Sequence, residues 1–327
     1  MKKLLVLLLV VAVLLPCFAS ALADDVLKVA LVLPGKKDDV SFNQAMYRGM
    51  MDYYEAHSDE IDLQVVENVY DVSDIEPTLI EFAEEGYDVI IGHGYQFSEP
   101  VITVAGMYPD VAFLLGCGVG DAVNVMKYDV QLEAGGYLMG VVAALTTQTG
   151  KIGVIGGGMG SEITRGHEGY KAGALSINPD LEIQEVYTGD WNDTTGAYEA
   201  AVGMYDSGVD VIWHSGDGIG LGTVQAAVDK DQYVLGNVED QLALGEKDVL
   251  SGLQYEWGKS LETIFAAIKD GSFFSEGKET VMINVANGGL SMTPINDVKG
   301  YLTEEDLSVI NDVYQKLGED AIELPEV

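Results

Sequence analysis

The sequence is poor in cysteine and in positive charge. Only two of its 327 residues are cysteine, and 17 lysines and arginines stand against 53 aspartates and glutamates, which gives a formal net charge of −36. A surface this acidic repels the phosphate backbone of nucleic acids, so we expect no DNA or RNA partner. The acidity keeps the chain soluble, but it does not identify a ligand.

Patterns typical of metal and catalytic sites are also missing. None of the four histidines, at positions 57, 93, 167 and 214, is spaced with another histidine or a cysteine as in a metal site. No Gly-x-Ser-x-Gly segment occurs. Acidic residues are so abundant that neighbouring carboxylates are expected by chance, and they indicate no acid–base pair. We therefore expect no metal, no cofactor and no catalytic residue, in a protein that is not an enzyme.

A long hydrophobic run occurs only at the start of the chain. Residues 1–23 combine a basic beginning, an apolar run from Leu4 to Leu15 and a small-residue cleavage site, which is the pattern of a secretory signal peptide. Cleavage there removes Cys17 and leaves Cys117 alone, so no internal disulfide is expected. The alternative is cleavage at Cys17, which gives a lipid anchor. Both routes predict a periplasmic or cell-surface protein.

The rest of the chain alternates β-branched runs with amphipathic helical segments. This alternation predicts βαβ units, in which helices cover both faces of parallel sheets. Two such series indicate two lobes, one starting with residues 24–145 and the other formed by residues 146–250. The later elements are too few for a third domain, so we expect residues 251–327 to complete the first lobe. Two open sheets joined by several crossings form a hinged clamp that can close around a ligand.

The segment from Asp39 to Gln44 is the main candidate for a ligand contact. It follows the first predicted strand, at the edge where parallel sheets bind ligands, and it opens an amphipathic helix. Ser41 is a suitable N-cap and Gln44 stands three residues later, which predicts a capping box. Free backbone N–H groups would then lie at Phe42 and Asn43. We expect Asp39, Phe42 and Asn43 to contact a small molecule; the alternative is that Phe42 only begins the apolar stripe of the helix.

A corresponding turn follows a predicted strand of the second lobe. Trp213 leaves that strand, and His214 and Asp217 follow it in a glycine-containing turn, so all three are expected at the ligand edge of the sheet. We expect Phe42 and Trp213 to stack on the two faces of a planar ligand, an interaction worth about 1–3 kcal/mol per base. The alternative is that Trp213 belongs to the hydrophobic core.

A glycine-rich turn at residues 156–160 follows another predicted strand. It resembles a dinucleotide-binding fingerprint, except that the third glycine position is Ser161. An NAD-dependent enzyme also needs an acidic residue at the end of the next strand, and here that strand ends near Tyr187 with Asp190 beyond it. Close backbone packing or a tight ligand loop fits the segment better than a nicotinamide site.

Seven segments in order resemble motifs of the basic membrane protein family, the PnrA-like substrate-binding proteins of ABC transporters. The match begins at Asp39-Val-Ser-Phe42-Asn43 and continues with Ala105-Gly-Met-Tyr-Pro-Asp-Val-Ala-Phe113. Its other parts are residues 136–144 with 150–153, 165–173, 191–193, 205–210 and 240–241. The resemblance implies a type I periplasmic-binding-protein fold, in which two doubly wound parallel-sheet lobes are joined by a three-crossing hinge.

The resemblance also implies a function and a partner. Characterised relatives bind purine nucleosides between the lobes, with two aromatic residues sandwiching the base, and they serve an ABC permease. Phe42 stands at the first aromatic position, Trp213 stands at the second, and Asn43 keeps the amide. We therefore expect a monomeric, extracytoplasmic solute-binding protein, with Tyr95 and Trp191 as further candidate contacts.

The polar contacts depart from the family pattern. Cys117 or Gly116 occupies the position of an aspartate that reads the base. Val238, followed by Glu239, replaces an aspartate that holds the ribose, and Gln254 replaces a lysine. A hydrogen bond to a charged group contributes roughly 1.5–3 kcal/mol, so these losses weaken a nucleoside complex. We expect a planar heterocycle such as a free purine base, with a nucleoside as the second choice and Gln254 and Glu239 as candidate polar contacts.

Two related functions share this clamp fold, and only the first fits the sequence. A binding protein of this kind can present its ligand to a sensor instead of a permease. A sugar-responsive gene regulator shares the clamp fold, but it needs a DNA-binding head before the first strand, and the acidic charge opposes that function.

Overall fold

The computed structural model describes residues 26–326. The predicted signal peptide and the alternative cleavage at Cys17 lie outside the described residues. Within residues 26–326, no helix combines the length and the apolar character that crossing a bilayer requires. Strands and helices alternate through most of this part of the chain, as predicted.

The strands and helices are numbered in chain order. The strands are β1 (Leu27–Val32), β2 (Ile61–Val66), β3 (Val89–His93), β4 (Ala112–Gly116), β5 (Val125–Val130), β6 (Lys151–Gly156), β7 (Glu182–Tyr187), β8 (Val211–Ser215), β9 (Tyr233–Gly236), β10 (Val249–Tyr255), β11 (Val281–Ile283) and β12 (Leu290–Met292). The helices are α1 (Phe42–Ala56), α2 (Val72–Glu84), α3 (Ser98–Met107), α4 (Leu132–Thr146), α5 (Ser161–Ile177), α6 (Thr194–Asp206), α7 (Asp217–Lys230), α8 (Gly258–Asp270) and α9 (Glu304–Gly318).

Within residues 26–326, the strands form two six-stranded sheets. The first has the order β11-β5-β4-β3-β1-β2, and all of its pairs are parallel. The second has the order β12-β10-β9-β8-β6-β7 and is parallel except for β12, which runs antiparallel to β10. Every residue of β3, β4 and β8 is buried, as expected for parallel sheets that carry helices on both faces.

The chain passes between the lobes three times, after β5, after β10 and between β11 and β12. Helix α4 lies against α5, β8 and β10 in the second lobe, and α9 lies against α4. Helix α8 lies against α1 and β11 in the first lobe. The clamp predicted from the sequence, with the three crossings that the family resemblance implies, therefore describes the architecture.

The lobe boundaries differ from the predicted ones at four elements. We expected residues 24–145 and 251–327 in one lobe and 146–250 in the other. Strand β11 and α8 do return to the first sheet, but α4, β12 and α9 join the second lobe, and the boundary at residue 251 falls inside β10. The physical reason is pairing: β12 covers the edge of β10, and α9 covers α4. Local sequence patterns give the type of an element, but not the sheet that it joins.

Glycines let α4 and α5 approach each other closely. A Cβ atom on Gly136 or Gly140 would collide with the backbone carbonyls of Gly166 and Tyr170 on the facing helix. Only glycine leaves room for this approach. The contact fixes α5 in the second lobe, and the first turn of α5 carries Glu162, which lines the cleft described next.

Candidate functional site

A cleft lies between the carboxyl ends of the two sheets, and both lobes line it. The first lobe contributes Pro34, Phe42, Tyr70, Gly94, Tyr95 and Gln96. The second contributes Gly160, Glu162, Ile163, Trp191, Gly216, Asp217, Asn237, Val238 and Tyr255. The space between these residues is about 570 Å³, part of it continuous with solvent. Five lining side chains are aromatic, two are carboxyls, and none is lysine or arginine.

Phe42 lines the cleft, as predicted, but one face of its ring is already covered. The ring stacks on the imidazole of His93, with centroids 3.9 Å apart and planes 11° from parallel. His93 Nδ1 lies 2.8 Å from the Tyr128 hydroxyl, and Nε2 lies 3.2 Å from the Phe42 carbonyl oxygen. Burial lowers the pKa of His93 to about 3, so its imidazole is neutral. A ligand can therefore stack only on the side of Phe42 that His93 leaves open.

Trp213 does not line the cleft. Its side chain is fully buried, and its ring stacks on Tyr170 at a centroid distance of 5.6 Å and an angle of 23°. Gly166 of α5 makes room for the indole, because a Cβ there would lie 3.2 Å from it. The expected sandwich of Phe42 and Trp213 is therefore not formed. The core position, which the sequence left open as the alternative, describes Trp213.

The tryptophan that the second lobe brings to the cleft is Trp191. It follows β7 and lies across the glycine-rich turn, where a Cβ on Gly158 would lie 2.5 Å from the indole. This contact explains the run of glycines as close packing, without a dinucleotide. The indole faces Tyr95 of the first lobe, with ring centroids 6.5 Å apart and planes tilted by 41°. Both Trp191 and Tyr95 were predicted contacts, and both line the cleft.

The start of α1 is capped in a different way from the predicted one. The Asp39 carboxylate accepts hydrogen bonds from the backbone N–H groups of Ser41, Asn43 and Gln44 and from the Asn43 amide. Ser41 makes no capping hydrogen bond, so the predicted Ser41–Gln44 capping box is wrong. Asn43 Oδ1 also accepts a hydrogen bond from the Gly35 N–H at 2.9 Å. The polar atoms of Asp39 and Asn43 therefore form hydrogen bonds within the loop itself. Neither residue lines the cleft.

Asp217 connects the two lobes. Its Oδ1 atom accepts a hydrogen bond from the Ser41 hydroxyl at 3.2 Å and from the Phe42 N–H at 3.3 Å. This places a carboxyl of the second lobe at the positive end of the α1 dipole in the first lobe. Withdrawal from water and the nearby Asp39 carboxylate nevertheless raise the pKa of Asp217 to about 7. Asp217 was a predicted contact, and it lines the cleft.

Glu239 also connects the lobes, but outside the cleft. Arg48 of α1 lies 3.0 Å from the Glu239 carboxylate and 2.6 Å from that of Glu256. Glu239 was a predicted contact, but it is paired with Arg48 and does not line the cleft. Tyr70 of the first lobe adds a further link, because its hydroxyl donates to Asp190 at 2.7 Å.

His214 supports another contact between the lobes, the one made by Gln241. It is fully buried, and its Nε2 atom lies 2.7 Å from the Gln241 side-chain oxygen. Gln241 in turn donates to the Val40 carbonyl across the lobes at 3.1 Å. His214 was a predicted contact, but it does not line the cleft, because the imidazole lies behind the cleft wall and is paired with Gln241.

Gln254 and Cys117 lie outside the lining as well. Successive residues of a strand point to opposite faces, so Gln254 points away from the face on which its neighbour Tyr255 reaches the cleft. Cys117 is buried behind the lining, and burial raises the pKa of its thiol well above the ordinary value. It lies beside Glu162, within 4.8 Å.

Several lining residues were missed by the sequence reasoning. Asn237 and Tyr255 stand at the ends of β9 and β10, and the Tyr255 hydroxyl donates to the Asn237 side chain at 3.2 Å. Val238 between these strands has a φ of 74°, a strained value for a β-branched residue, and such strain clusters at functional sites. The strand-end rule that selected Phe42 would have found Asn237 and Tyr255. Nothing in the sequence singled out Glu162 among so many acidic residues.

Known proteins resemble this chain over most of its length. The family model of the PnrA-like ABC transporter substrate-binding proteins matches residues 26–327. A purine-binding protein of Brucella abortus is 26% identical over 279 residues, which cover 85% of this chain and 78% of the relative. Basic membrane protein A of Borreliella burgdorferi is 29% identical over 284 residues, which cover 85% and 83%. A solved ABC transporter solute-binding protein from Conexibacter woesei has a TM-score of 0.70 and 27% identity, and covers 91% of this chain and 98% of its own.

Proposed function

The chain belongs to the PnrA-like family of ABC transporter substrate-binding proteins, and we propose that it binds a planar, purine-type heterocycle in the cleft between its lobes. Members of this family are extracytoplasmic binding proteins and not enzymes. The observation that carries the proposal is the cleft lining, with five aromatic side chains, two carboxyls and no lysine or arginine. The name of the Brucella relative, a purine-binding protein, supports the choice of purines.

The distribution of aromatic side chains supports a flat ligand. Phe42 and Tyr95 come from the first lobe, and Trp191 and Tyr255 come from the second. Stacking of a base on an aromatic side chain is worth about 1–3 kcal/mol. Because the rings belong to both lobes, a ligand gains the full stacking energy only when the lobes close. Ligand binding and closure are therefore linked.

The charge of the lining supports a ligand without phosphate. Glu162 and Asp217 line the cleft, and no lysine or arginine is there to neutralise an anion. A carboxyl-lined site rejects nucleotides by leaving their phosphates unpaired. Val238 lines the cleft with only an apolar side chain. The family resemblance implies a ribose contact at this position, so its apolar character favours a free base over a nucleoside.

The contacts between the lobes support a clamp whose closure signals the bound ligand to an ABC permease, and we expect this clamp to act as a monomer. Asp217, Arg48, Gln241 and Tyr70 each bridge the lobes. A clamp of this kind presents one surface when it is closed and another when it is open. Size-exclusion chromatography with light scattering tests the monomer, which should keep one mass over the working concentration range.

Isothermal titration calorimetry tests the ligand class. We expect binding of adenine or hypoxanthine, weaker binding of adenosine and guanosine, and no binding of AMP. Because apolar surface is buried on binding, the heat-capacity change should be negative. Absence of heat with all four uncharged compounds would overturn the purine assignment, whereas tight AMP binding would overturn the argument from charge.

A further inference from the structure

Arg48 of α1 uses all three nitrogens of its guanidinium group on one side of the cleft. Its Nε donates to the Glu239 carboxylate at 3.1 Å, Nη1 donates to Glu256 at 2.6 Å, and Nη2 donates to the Tyr255 carbonyl at 2.9 Å. Such a fork fixes direction as well as distance, because its N–H groups are rigid with respect to one another. Arg48 itself does not line the cleft. It therefore acts on residues that do, and on their neighbours in the chain.

The residues that Arg48 holds belong to a single wall of the cleft, formed by residues 237–239 and 255–256, which we call the β9–β10 wall. The Tyr255 N–H donates to the Val238 carbonyl at 2.9 Å, and the Tyr255 hydroxyl donates to the Asn237 side chain at 3.2 Å. All three of these residues line the cleft. A displacement of either segment therefore moves the cleft-lining groups of both.

The β9–β10 wall contains a backbone conformation that has to be held in place. Val238 has a φ of 74°, in the left-handed region that β-branched residues rarely adopt. Such strain persists only where the surrounding structure over-determines it. Gln241 supplies one restraint, because its side-chain amide donates to the Val40 carbonyl of the first lobe at 3.1 Å. Arg48 supplies another through Glu239, the residue that follows Val238.

The charges around Glu239 make Arg48 difficult to replace. The Glu239 side chain is only 7% exposed. Within residues 26–326, the other charged groups that act on it are the carboxyls of Asp39 and Glu256. Burial raises the pKa of Glu239, and the Arg48 guanidinium opposes this shift. Without Arg48, a buried carboxyl would be left with two carboxyls and no cation, which favours a displacement of the turn that carries it.

Helix α1 connects Arg48 to the opposite wall of the cleft. Phe42 is the first residue of α1, and its ring lines the cleft from the first lobe. Arg48 lies less than two turns further along the same helix. Because the helix is stiff, the guanidinium group fixes the β9–β10 wall at a set distance from the Phe42 ring.

We propose that Arg48 is a positioning residue for ligand binding, which sets the spacing between Phe42 and the β9–β10 wall without touching the ligand. A preorganised wall avoids the cost of ordering its residues at the moment of binding. Substitution of Arg48 should therefore weaken different ligands of the cleft by a similar factor and leave the preference among them unchanged. The inference rests on the ligand cleft proposed above and adds a residue that controls its geometry.

Titration calorimetry with adenine and with hypoxanthine tests the effect on affinity. Arg48→Ala should lower both affinities by at least about tenfold, since it leaves the buried Glu239 without its cation. Arg48→Lys keeps the charge but replaces the fork by one ammonium group, so it should recover only part of the loss. Circular dichroism checks that each variant is folded, and Arg48→Lys carries the comparison if Arg48→Ala is not.

Lys171→Ala is the matched control. Lys171 also holds two carboxylates, those of Glu168 and Glu185, and its side chain is 27% exposed against 29% for Arg48. These three residues belong to the second lobe and do not line the cleft. Lys171→Ala should therefore bind adenine and hypoxanthine within about threefold of the wild type.

Fluorescence quenching by acrylamide tests the same inference without a ligand. Of the three tryptophans in the chain, Trp213 and Trp257 are fully buried, whereas Trp191 is partly exposed and faces Tyr95 across the cleft. Quenching therefore reports on the access of solvent to Trp191. It should increase in Arg48→Ala, increase less in Arg48→Lys and stay at the wild-type level in Lys171→Ala.

The outcomes distinguish this inference from the proposed function. Unchanged affinity or unchanged quenching in a folded Arg48→Ala variant overturns the positioning role and leaves the purine assignment standing. A loss that is confined to one of the two purines also overturns it, because a residue that does not touch the ligand cannot choose between them. If the wild type binds neither purine, the purine assignment fails, and the quenching comparison still decides the role of Arg48.

Discussion

The two lobes prepare their sides of the cleft in different ways. On the first lobe, the polar groups at the start of α1 are already paired: Asp39 takes backbone N–H groups, and Asn43 is hydrogen-bonded at both ends of its amide. On the second lobe, Glu162 and Asp217 are carboxyls with raised pKa values that face the cleft. The first lobe offers a rigid aromatic surface, and the second offers titratable groups.

The same contrast applies to the aromatic residues. Phe42 is held from behind by His93, so its orientation is fixed before a ligand arrives. Trp191 lies against the backbone of Gly157 and Gly158, and the ring that it faces, Tyr95, belongs to the other lobe. Binding in such a clamp combines a preorganised face with a face that is completed on closure. Substitutions on the two sides should therefore have different consequences for stability and for affinity.

The largest effect on the free energy of unfolding is expected from a residue outside the cleft. Trp213→Ala should lower the free energy of unfolding by about 3–5 kcal/mol, because it leaves a large cavity between β8 and α5. Among molecules that remain folded, affinity for the ligand should change by less than about threefold. Urea unfolding followed by circular dichroism, together with calorimetry at low temperature, measures both quantities. A large loss of affinity with unchanged stability would return Trp213 to the binding site.

Trp191→Ala should show the opposite pattern. We expect ligand affinity to fall by about ten- to a hundredfold, which corresponds to a stacking energy of about 1–3 kcal/mol. The unfolding free energy should fall by only about 1 kcal/mol, because the indole is partly exposed and lies over a loop. The same two measurements apply, so the Trp213 variant is the matched control. Equal affinity of the wild type and Trp191→Ala would remove the indole from the ligand contact.

The sequence predicted Trp213 in the cleft, whereas the structure has Trp191 there, and this difference illustrates what the sequence could predict. Strand and helix types, the two lobes and the position of Phe42 follow from periodicity and from the rule that parallel sheets bind ligands at their carboxyl ends. The side of a sheet on which Trp213 points depends on the neighbouring α5, which lies 36 residues or more earlier in the chain. Such packing across long sequence separations has no local signature.

The predicted lobe boundary was wrong for a related reason. Strands β11 and β12 are both three residues long and are separated by a short loop, yet they pair with different sheets. Only the free edge that each strand meets decides between the two lobes. The polar candidates show the same limit: Asp39, Asn43 and Glu239 are correct in type for a ligand contact, but neighbouring groups already use their hydrogen-bonding capacity.

The titratable groups of the second lobe should make stability depend on pH. Both carboxyls have raised pKa values in the folded state, Glu162 about 8 and Asp217 about 7, against 4.5 and 3.8 in their ordinary state. The folded protein therefore binds more protons than the unfolded one across this window. Consequently the unfolding free energy should fall as pH rises from about 4 to about 8 and should level off above that range.

Two variants identify the carboxyl groups that cause this dependence of the unfolding free energy on pH. Asp217→Asn should flatten the lower part of the curve, and Glu162→Gln should flatten the upper part, because each removes one titration. Urea unfolding at a series of pH values measures the slopes, and the comparison with the wild type subtracts the contribution of the general negative charge. A slope that is identical in both variants and the wild type would mean that other carboxyls cause the pH dependence.

The smallest effect on stability should come from the first lobe, whose polar groups are already hydrogen-bonded. Asp39→Ala frees three backbone N–H groups at the start of α1 and should lower the unfolding free energy by about 0.5–2 kcal/mol, as for loss of a helix cap. The loss is moderated because the Asp39 carboxylate also opposes ionisation of Asp217, so its removal should lower the pKa of Asp217. Asp38→Ala, on an exposed neighbour, should change stability by less than about 0.5 kcal/mol. If Asp39→Ala lowers the free energy of ligand binding by more than it lowers the free energy of unfolding, the first lobe contributes a polar contact to the ligand. The division between a rigid aromatic lobe and a titratable lobe would then fail.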